Sequence, residues 1–162
     1  MAGRKRCHFP SLPAKGLTLD VGATYIETEI DGAFSNFSQF GGPPQSFSGN
    51  AFPYSPKVQV NADLDYRRPL SDDLTGFAGV GVTYRSRSKG GLENDPRLAI
   101  DSYTLVDLRA GVQSAAGRWK AMIWGRNVGD TYYWNNVIKA QDNVIRYAGR
   151  PATWGVTVSH EF

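Results

Sequence analysis

The chain has 162 residues, enough for one domain of ordinary size, and a net charge of +3 carried partly by Arg4, Lys5 and Arg6, too small and too scattered for nucleic-acid binding. A single cysteine, Cys7, excludes an internal disulfide, and apolar runs of only a few residues exclude a transmembrane helix, which needs roughly 18. The mean hydropathy of −0.38 reads as water-soluble, but that average says little about a membrane barrel, where only every second residue of a strand faces lipid.

The opening stretch "MAGRKRCHFPSLPAKG" is basic, has no apolar core and is interrupted by Pro10 and Pro13, so it does not read as a signal peptide. Residues 1–13 fit no strand pattern and are expected to be disordered. From there the pattern changes. In "GLTLDVGATYIETEID", Leu17, Leu19, Val21, Ala23 and Tyr25 share one face and Thr18, Asp20, Gly22 and Thr24 the other. In "KVQVNADLDYRR", Val58, Val60, Ala62, Leu64 and Tyr66 alternate with Gln59, Asn61, Asp63, Asp65 and Arg67. "GFAGVGVTYRSRS" sets Ala78, Val80, Val82 and Tyr84 against Gly79, Gly81, Thr83 and Arg85. "SYTLVDLRAGVQS" sets Val106, Leu108, Ala110 and Val112 against Asp107, Arg109 and Gly111. "RWKAMIWGRN" sets Trp119, Ala121, Ile123 and Gly125 against Lys120, Met122, Trp124 and Arg126. "TWGVTVSHEF" sets Trp154, Val156, Val158, His160 and Phe162 against Thr153, Gly155, Thr157, Ser159 and Glu161. Period-two alternation repeated six times predicts an all-β protein with about six long strands. Globular strands usually run about five or six residues, whereas a tilted membrane-spanning strand needs about 9–11, and these candidates fit the second length.

The links alternate in length. "GAFSNFSQFGGPPQSFSGNAFPYSP", "KGGLENDPRLAID" and the segment from Val128 to about Gly149 are long, whereas "PLSDDLT" and "AAG" are short. Segregation of loop length by sheet end predicts an antiparallel meander in an outer-membrane barrel, with short inner turns and long outer loops. Trp154 and Phe162 then lie roughly 26 Å apart along the last strand, compatible with the two aromatic girdles of a barrel wall.

Sites for chemistry are scarce. Gly79-x-Gly81 lacks the third glycine of a dinucleotide fingerprint and reads as strand glycines. Cys7-His8 and the distant His160 make no metal set, and Asp72-Asp73 read as a solvated turn. Asn36-Phe37-Ser38 matches a glycosylation sequon only by spelling, and no Ser/His/Asp set stands out. The sequence predicts no enzyme, no cofactor and no metal site.

Several stretches resemble TonB-dependent outer-membrane receptors. "VIRYAGRPATWGVTVSHEF" resembles that family's C-terminus through Arg146, Tyr147, Gly149, Pro151, Trp154, Gly155 and Phe162. "WGRNVGDTYYWNN" resembles the penultimate strand and its following turn through Asn127, Asp130 and Tyr132, with Gly129 in place of the usual aromatic. "FPYSPKVQVNADLDYR" resembles a recurrent strand entry through Pro53, Pro56 and Lys57, and "SYTLVDLRAGV" the strand before the last short turn. The resemblance runs from about Pro13 to Phe162, which implies that residues 14–162 are the C-terminal portion of the barrel and residues 1–13 a stretch outside it. It also implies a transmembrane barrel of about 22 strands around an N-terminal plug, of which this chain supplies the last quarter. The implied activity is uptake of ferric siderophores, cobalamin or carbohydrates across the cell outer membrane by a full-length parent. Its implied partners are outer-membrane lipid, the barrel-assembly machinery, the rest of the barrel with its plug, and the TonB complex.

Three residue groups follow as candidates. Arg85, Arg87, Arg109 and Arg126 on the polar faces form a lumenal basic ladder able to attract an anionic ligand such as a ferric siderophore. Paired carboxylates, including Asp65 and Asp107, are the competing reading for these arginines. Tyr132, Tyr133 and Trp134 are aromatics at an outer mouth able to stack on a ligand ring, or else part of the outer girdle. Trp154, Val156, Val158, His160 and Phe162 resemble the signal read by the assembly machinery through strand addition. Two other architectures stay open: a soluble β-sandwich that binds a ligand, and a small pore built from several chains.

Overall fold

The computed structural model describes residues 3–9 and 15–161, with only the backbone described over 3–9. All six anticipated strands are present: β2 (Leu17–Glu27), β5 (Val58–Ser71), β6 (Leu74–Arg85), β9 (Tyr103–Ser114), β10 (Trp119–Arg126) and β13 (Thr153–His160). They pair antiparallel in chain order, and β1 (Gly3–Phe9) adds a seventh strand beside β2. That strand corrects the expectation of disorder over most of residues 1–13. An edge strand is held by backbone hydrogen bonds to its single neighbour and needs no alternating side chains to form. The rest of residues 1–13 lies outside the described residues, as does Phe162.

The register carries one face across the whole sheet. Leu17 sits opposite Tyr66, Tyr66 opposite Ala78, Ala78 opposite Ala110, Ala110 opposite Ile123 and Ile123 opposite Val156. Every apolar set read from the sequence therefore falls on the same side, and every polar set on the other. The apolar side is bare: Ile123 is 61% exposed, Trp154 64%, Val156 71% and Val158 73%. No second sheet covers the polar side among the described residues, which excludes a sandwich.

The paired rows are slanted. From Trp154, at the loop end of β13, the row passes through Gly125, Leu108, Val80 and Leu64 to Leu19, near the turn end of β2. Leu19 lies six residues from Tyr25 near the loop end of β2, so the row slides by roughly 20 Å along the strands. A sheet closes into a barrel only with such a stagger.

Two Trp-Gly dipeptides lock β10 to β13. Trp124 pairs with Gly155, and Gly125 pairs with Trp154. A Cβ on Gly155 would sit 2.3 Å from the Trp124 ring, and one on Gly125 would sit 2.5 Å from the Trp154 ring. Each indole thus lies over the bare backbone of the facing strand, on opposite faces of the sheet. Trp124 adds a hydrogen bond from Nε1 to Thr157 Oγ1 at 3.1 Å.

The short turns tie to each other through Ala115 N–H, which donates to Asp73 C=O at 2.9 Å. At the opposite end, the long segments hold structure that the alternation pattern did not predict. The first contains the pair β3 (Ser35–Asn36) and β4 (Gln45–Ser46). The second contains β7 (Ser88–Lys89), a 3₁₀ turn over Pro96–Leu98 and β8 (Ala99–Ile100). The third contains a hairpin of β11 (Trp134–Ala140) and β12 (Asn143–Ala148). Among the described residues a buried apolar cluster lies here, formed by Leu98, Ile100 and Val137, with Phe40, Trp134 and Val144 packed against it.

Candidate functional site

The polar face of the wall is organised around Arg109. Its guanidinium reaches from β9 across β6 to two carboxylates on β5, with Nη2 at 2.5 Å from Asp63 Oδ1 and 2.6 Å from Asp65 Oδ2. The strand it crosses carries Gly79 and Gly81 at that point. A Cβ on Gly79 would lie 2.6 Å from Asp65 Oδ1 and 2.7 Å from Arg109 Nε. The two glycines clear the passage, so Gly79-x-Gly81 has a steric cause that curvature alone does not supply. Asp107, on the same face, accepts from Asn127 N–H at 2.9 Å.

Asn127 anchors the third loop. It is buried, and its backbone takes a left-handed conformation (φ 47°). Its side chain accepts from Thr131 N–H at 2.9 Å and donates to the carbonyls of Thr131 and Arg150, each at 3.0 Å. Asp130 is also left-handed (φ 47°) and accepts from Ala152 N–H at 2.8 Å. The two residues join the start of this loop to its end, which places β13 against β10. Tyr133 packs 4.3 Å from Tyr103 and covers Gly149, where a Cβ would fall 1.9 Å from the Tyr133 ring.

The three long loops bond to one another. Buried Glu93 accepts from Gln39 N–H at 2.8 Å and Gln39 Nε2 at 3.1 Å. Tyr54 N–H donates to Lys89 C=O at 2.8 Å, and Tyr54 Oη donates to Val137 C=O at 2.8 Å, so this residue touches both other loops. Burial pushes the Tyr54 phenol above its ordinary pKa. Arg146 Nη2 donates to Arg97 C=O at 3.0 Å, and the Arg97 guanidinium stacks 3.6 Å above Phe40.

A cavity of about 640 Å³ opens among these loops, with Lys57, Arg87, Lys89, Asp101, Trp134 and Arg146 on its walls. Lys57, Arg87 and Asp101 follow the polar-face alternation of the strands they adjoin, so the cavity sits where the polar wall meets the loops. Arg87 pairs with Asp101 at 2.8 Å, and Lys57 with Glu27 at 2.7 Å. Lys89 Nζ donates to Leu92 C=O at 3.0 Å and Asn94 Oδ1 at 2.7 Å, and burial pushes its pKa down against the pull of Glu93. The Arg146 guanidinium lies 5.9 Å from the Trp134 ring.

The candidates from sequence separate accordingly. Arg109 is held by Asp63 and Asp65, and Arg126 stacks on Trp124 at 5.2 Å. Arg85 stands exposed at the loop end of β6. Arg87 and Trp134 come together in the cavity, while Tyr132 meets the Trp134 ring edge-on at 5.0 Å and is itself 72% exposed. Trp154, Val156, Val158 and His160 share the bare face of β13, and Phe162 lies outside the described residues. Sequence reading missed Lys89 and Arg146. Neither lies in an alternating segment, and only the docking of two loops brings them to one cavity.

A family model described as TonB dependent receptor-like, beta-barrel matches residues 10–128. Among solved structures, the chain is similar to the ferric yersiniabactin uptake receptor FyuA of Yersinia pestis, with a TM-score of 0.77 and 14% identity over 99% of this chain and 23% of that one. It is similar to the ferric-catecholate import receptor Fiu of E. coli K12 at TM-score 0.73 and 17% identity, over 99% of this chain and 21% of that one. It is also similar to the siderophore receptor PiuA of Acinetobacter baumannii at TM-score 0.70 and 17% identity, over 93% and 20%. At these identities the likeness is one of fold, and the chain spans about a fifth of each of those structures.

Proposed function

This chain belongs to the TonB-dependent receptor β-barrel family, and we propose that it forms the C-terminal wall and outer loops of a receptor that takes up ferric siderophores across the outer membrane. In this reading residues 14–162 are barrel, the apolar face meets lipid, and the polar face lines a lumen filled by the plug of the full-length parent. Transport belongs to that parent, with TonB acting through the plug. The names of the structural neighbours, all receptors for iron carriers, favour a siderophore over cobalamin or a sugar.

The observation that carries the reading is the placement of the loop cavity. It sits at the mouth end of the polar wall and holds cations from two loops beside an aromatic ring. The test is uptake of radiolabelled ferric siderophore by cells making the full-length parent. Replacing Arg85 and Arg87 by Gln is expected to lower affinity for an anionic chelate and leave surface abundance unchanged. Unchanged affinity for every iron chelate offered would sink the reading.

Trp154, Val156, Val158, His160 and Phe162 are proposed as the signal for barrel assembly. The unpaired edge of β13, together with a row of exposed side chains on one face, supports this role, since strand addition uses backbone bonds for affinity and alternate side chains for choice. Replacing Val156 and Val158 by Ser should reduce the yield of assembled receptor, read as the folded fraction in outer membranes.

A further inference from the structure

We infer that crossed glycine interlocks choose the strand register at β6–β9 and β10–β13, the junctions where the connecting chain is too long to choose it. The consequence for barrel closure rests on the wall reading above.

The problem is set by connectivity. A tight turn fixes the register of the strands it joins, and residues 72–73 and 115–118 do this for β5–β6 and β9–β10. β10 and β13 are joined by residues 127–152, and β6 and β9 by residues 86–102, which leave the register to the side chains. The face pattern removes only half of the alternatives. A slip of one residue would turn Val156 and Val158 to the polar side, but a slip of two keeps every residue on its own face.

The interlocks remove the other half. In the observed register Trp124 stands opposite Gly155 and Trp154 opposite Gly125. The Trp124 indole also reaches Thr157 Oγ1 at 3.1 Å, two residues along β13. A slip of two in one direction would set Trp124 opposite Thr157 and Trp154 opposite Asn127. A slip in the other would set them opposite Thr153 and Ile123. Each of these residues brings a Cβ to the place where a Cβ on the native glycine would lie 2.3 or 2.5 Å from the indole. Contacts that close force side chains off their rotamers and strands apart.

β6 and β9 repeat the device. Phe77 faces Gly111, where a Cβ would lie 2.7 Å from the ring, and Arg109 faces Gly79, where a Cβ would lie 2.7 Å from Nε. Each strand again gives one glycine and receives one. At the tight-turn junction β5–β6 the glycines, Gly76, Gly79 and Gly81, all lie on β6, so nothing is exchanged. In the barrel reading β13 offers its free edge to the first strand of the parent. The register at β10–β13 then passes into the stagger of the closed barrel, which is tied to its diameter. Asn127 and Asp130, which reach Arg150 C=O and Ala152 N–H across the same loop, are the rival holders of that register.

The test reads register by disulfide formation in the full chain, folded in detergent micelles, with Cys7 replaced by Ser and circular dichroism as the fold control. Ala121→Cys with Val158→Cys marks the observed register. Ile123→Cys with Val158→Cys and Ala121→Cys with Val156→Cys mark the two slips. Both of those pairs are diagonal in the observed register, about 7–8 Å apart and beyond the reach of a disulfide. The unaltered wall should link the first pair at least about tenfold faster than either other. Trp124→Ala with Trp154→Ala should bring the three pairs to within about threefold of one another, and each single variant should fall between. Gly155→Trp sets two indoles face to face and should also spread the linking. Adding Trp124→Gly transposes the interlock and should restore the first pair. Linking confined to the first pair without either indole would give the register to Asn127 and Asp130 and overturn the inference, as would a transposed variant that stays spread. Selective linking by a chain whose parent takes up no iron chelate would leave the interlocks standing and sink the uptake reading instead.

Discussion

The strand wall and the loop assembly solve the burial problem in opposite ways. In the wall the large apolar residues point outward: Ile123, Val156 and Val158 are each more than half exposed, and the strands are held by continuous backbone ladders. In the loops Leu98 and Val137 are fully enclosed, and side chains from distant segments bond across them. In the proposed reading the contrast follows from solvent. A barrel wall in lipid gains nothing by hiding apolar side chains from a hydrocarbon, but it must satisfy every backbone group internally. Loops in water face the usual demand and bury a core of their own. One chain thus carries two designs, joined at the rim where Asn127 and Asp130 fasten the third loop to β13.

The sharpest way to separate the two is to damage one core. Leu98→Ala removes a fully buried side chain and should cost the loop assembly about 2–5 kcal/mol. Amide exchange should then speed up across β7, β8, β11 and β12 while β5, β6 and β9 stay protected. Equal loss of protection in the wall would show that the two regions fold as one unit. The converse change is Val156→Arg. In a bilayer it should cost about 2–4 kcal/mol if the residue lies near the midplane, measured by reversible unfolding from lipid vesicles, and far less in a loosely packed detergent micelle.

A smaller effect tests what holds the wall together on its polar side. Gly79→Val places branched carbon in the gap that Arg109 crosses, and should cost about 1–3 kcal/mol. Most of that cost should vanish when Arg109 is already Met, because the obstructed ion pair no longer exists. Additive losses in the double variant would mean that Gly79 serves strand geometry alone.

These regions also differ in how far the sequence exposes them. The wall was readable because a period of two is local: Val58, Val60, Ala62, Leu64 and Tyr66 declare a face without reference to any other strand, and the register preserves that face across six strands. The edge strand Gly3–Phe9 was not readable, since its sequence carries no clean period-two alternation. The loops were opaque for a different reason. Tyr54 bonding Val137, or Gln39 bonding Glu93, joins residues far apart in sequence through contacts that leave no periodic trace. In the β11–β12 hairpin the buried Val137 is followed directly by the half-buried Ile138, so its strands show no clean alternation. Of the cavity, Arg87 and Trp134 could be picked out by residue type and position near a strand end. Lys89 and Arg146 become partners only when the loops dock. Glycine was the subtlest case. Gly79 and Gly81 were visible as glycines, but the reason for them sits on the two flanking strands.

The smallest predicted effect lies at the seam between Asp95 and the loop core. Asp95 accepts hydrogen bonds from the Arg97 side chain and from Arg97 N–H, at 2.7 Å and 2.8 Å. The Arg97 side chain holds the Asp95 carboxyl below the ordinary aspartate range, with the backbone bond adding to it. A depressed carboxylate pKa contributes stability that is fully present above the unfolded value near 3.8 and is lost as pH falls through the lower folded value. The same carboxylate caps the 3₁₀ turn that delivers Leu98 to the loop core, so protonation should loosen that turn and free Arg97 from its place over Phe40. Because the Arg97 side chain is 58% exposed, solvent screening keeps the effect small and local. Carbon-detected NMR of the Asp95 carboxyl should show a midpoint below the ordinary range, with the Leu98 methyl signals moving at the same midpoint. Asp95→Asn keeps an acceptor for the cap but cannot titrate, so the Leu98 signals of that variant should stay fixed on acidification. Leu98 signals that still move with pH in the Asn variant would place the acid-sensitive group elsewhere in the loops.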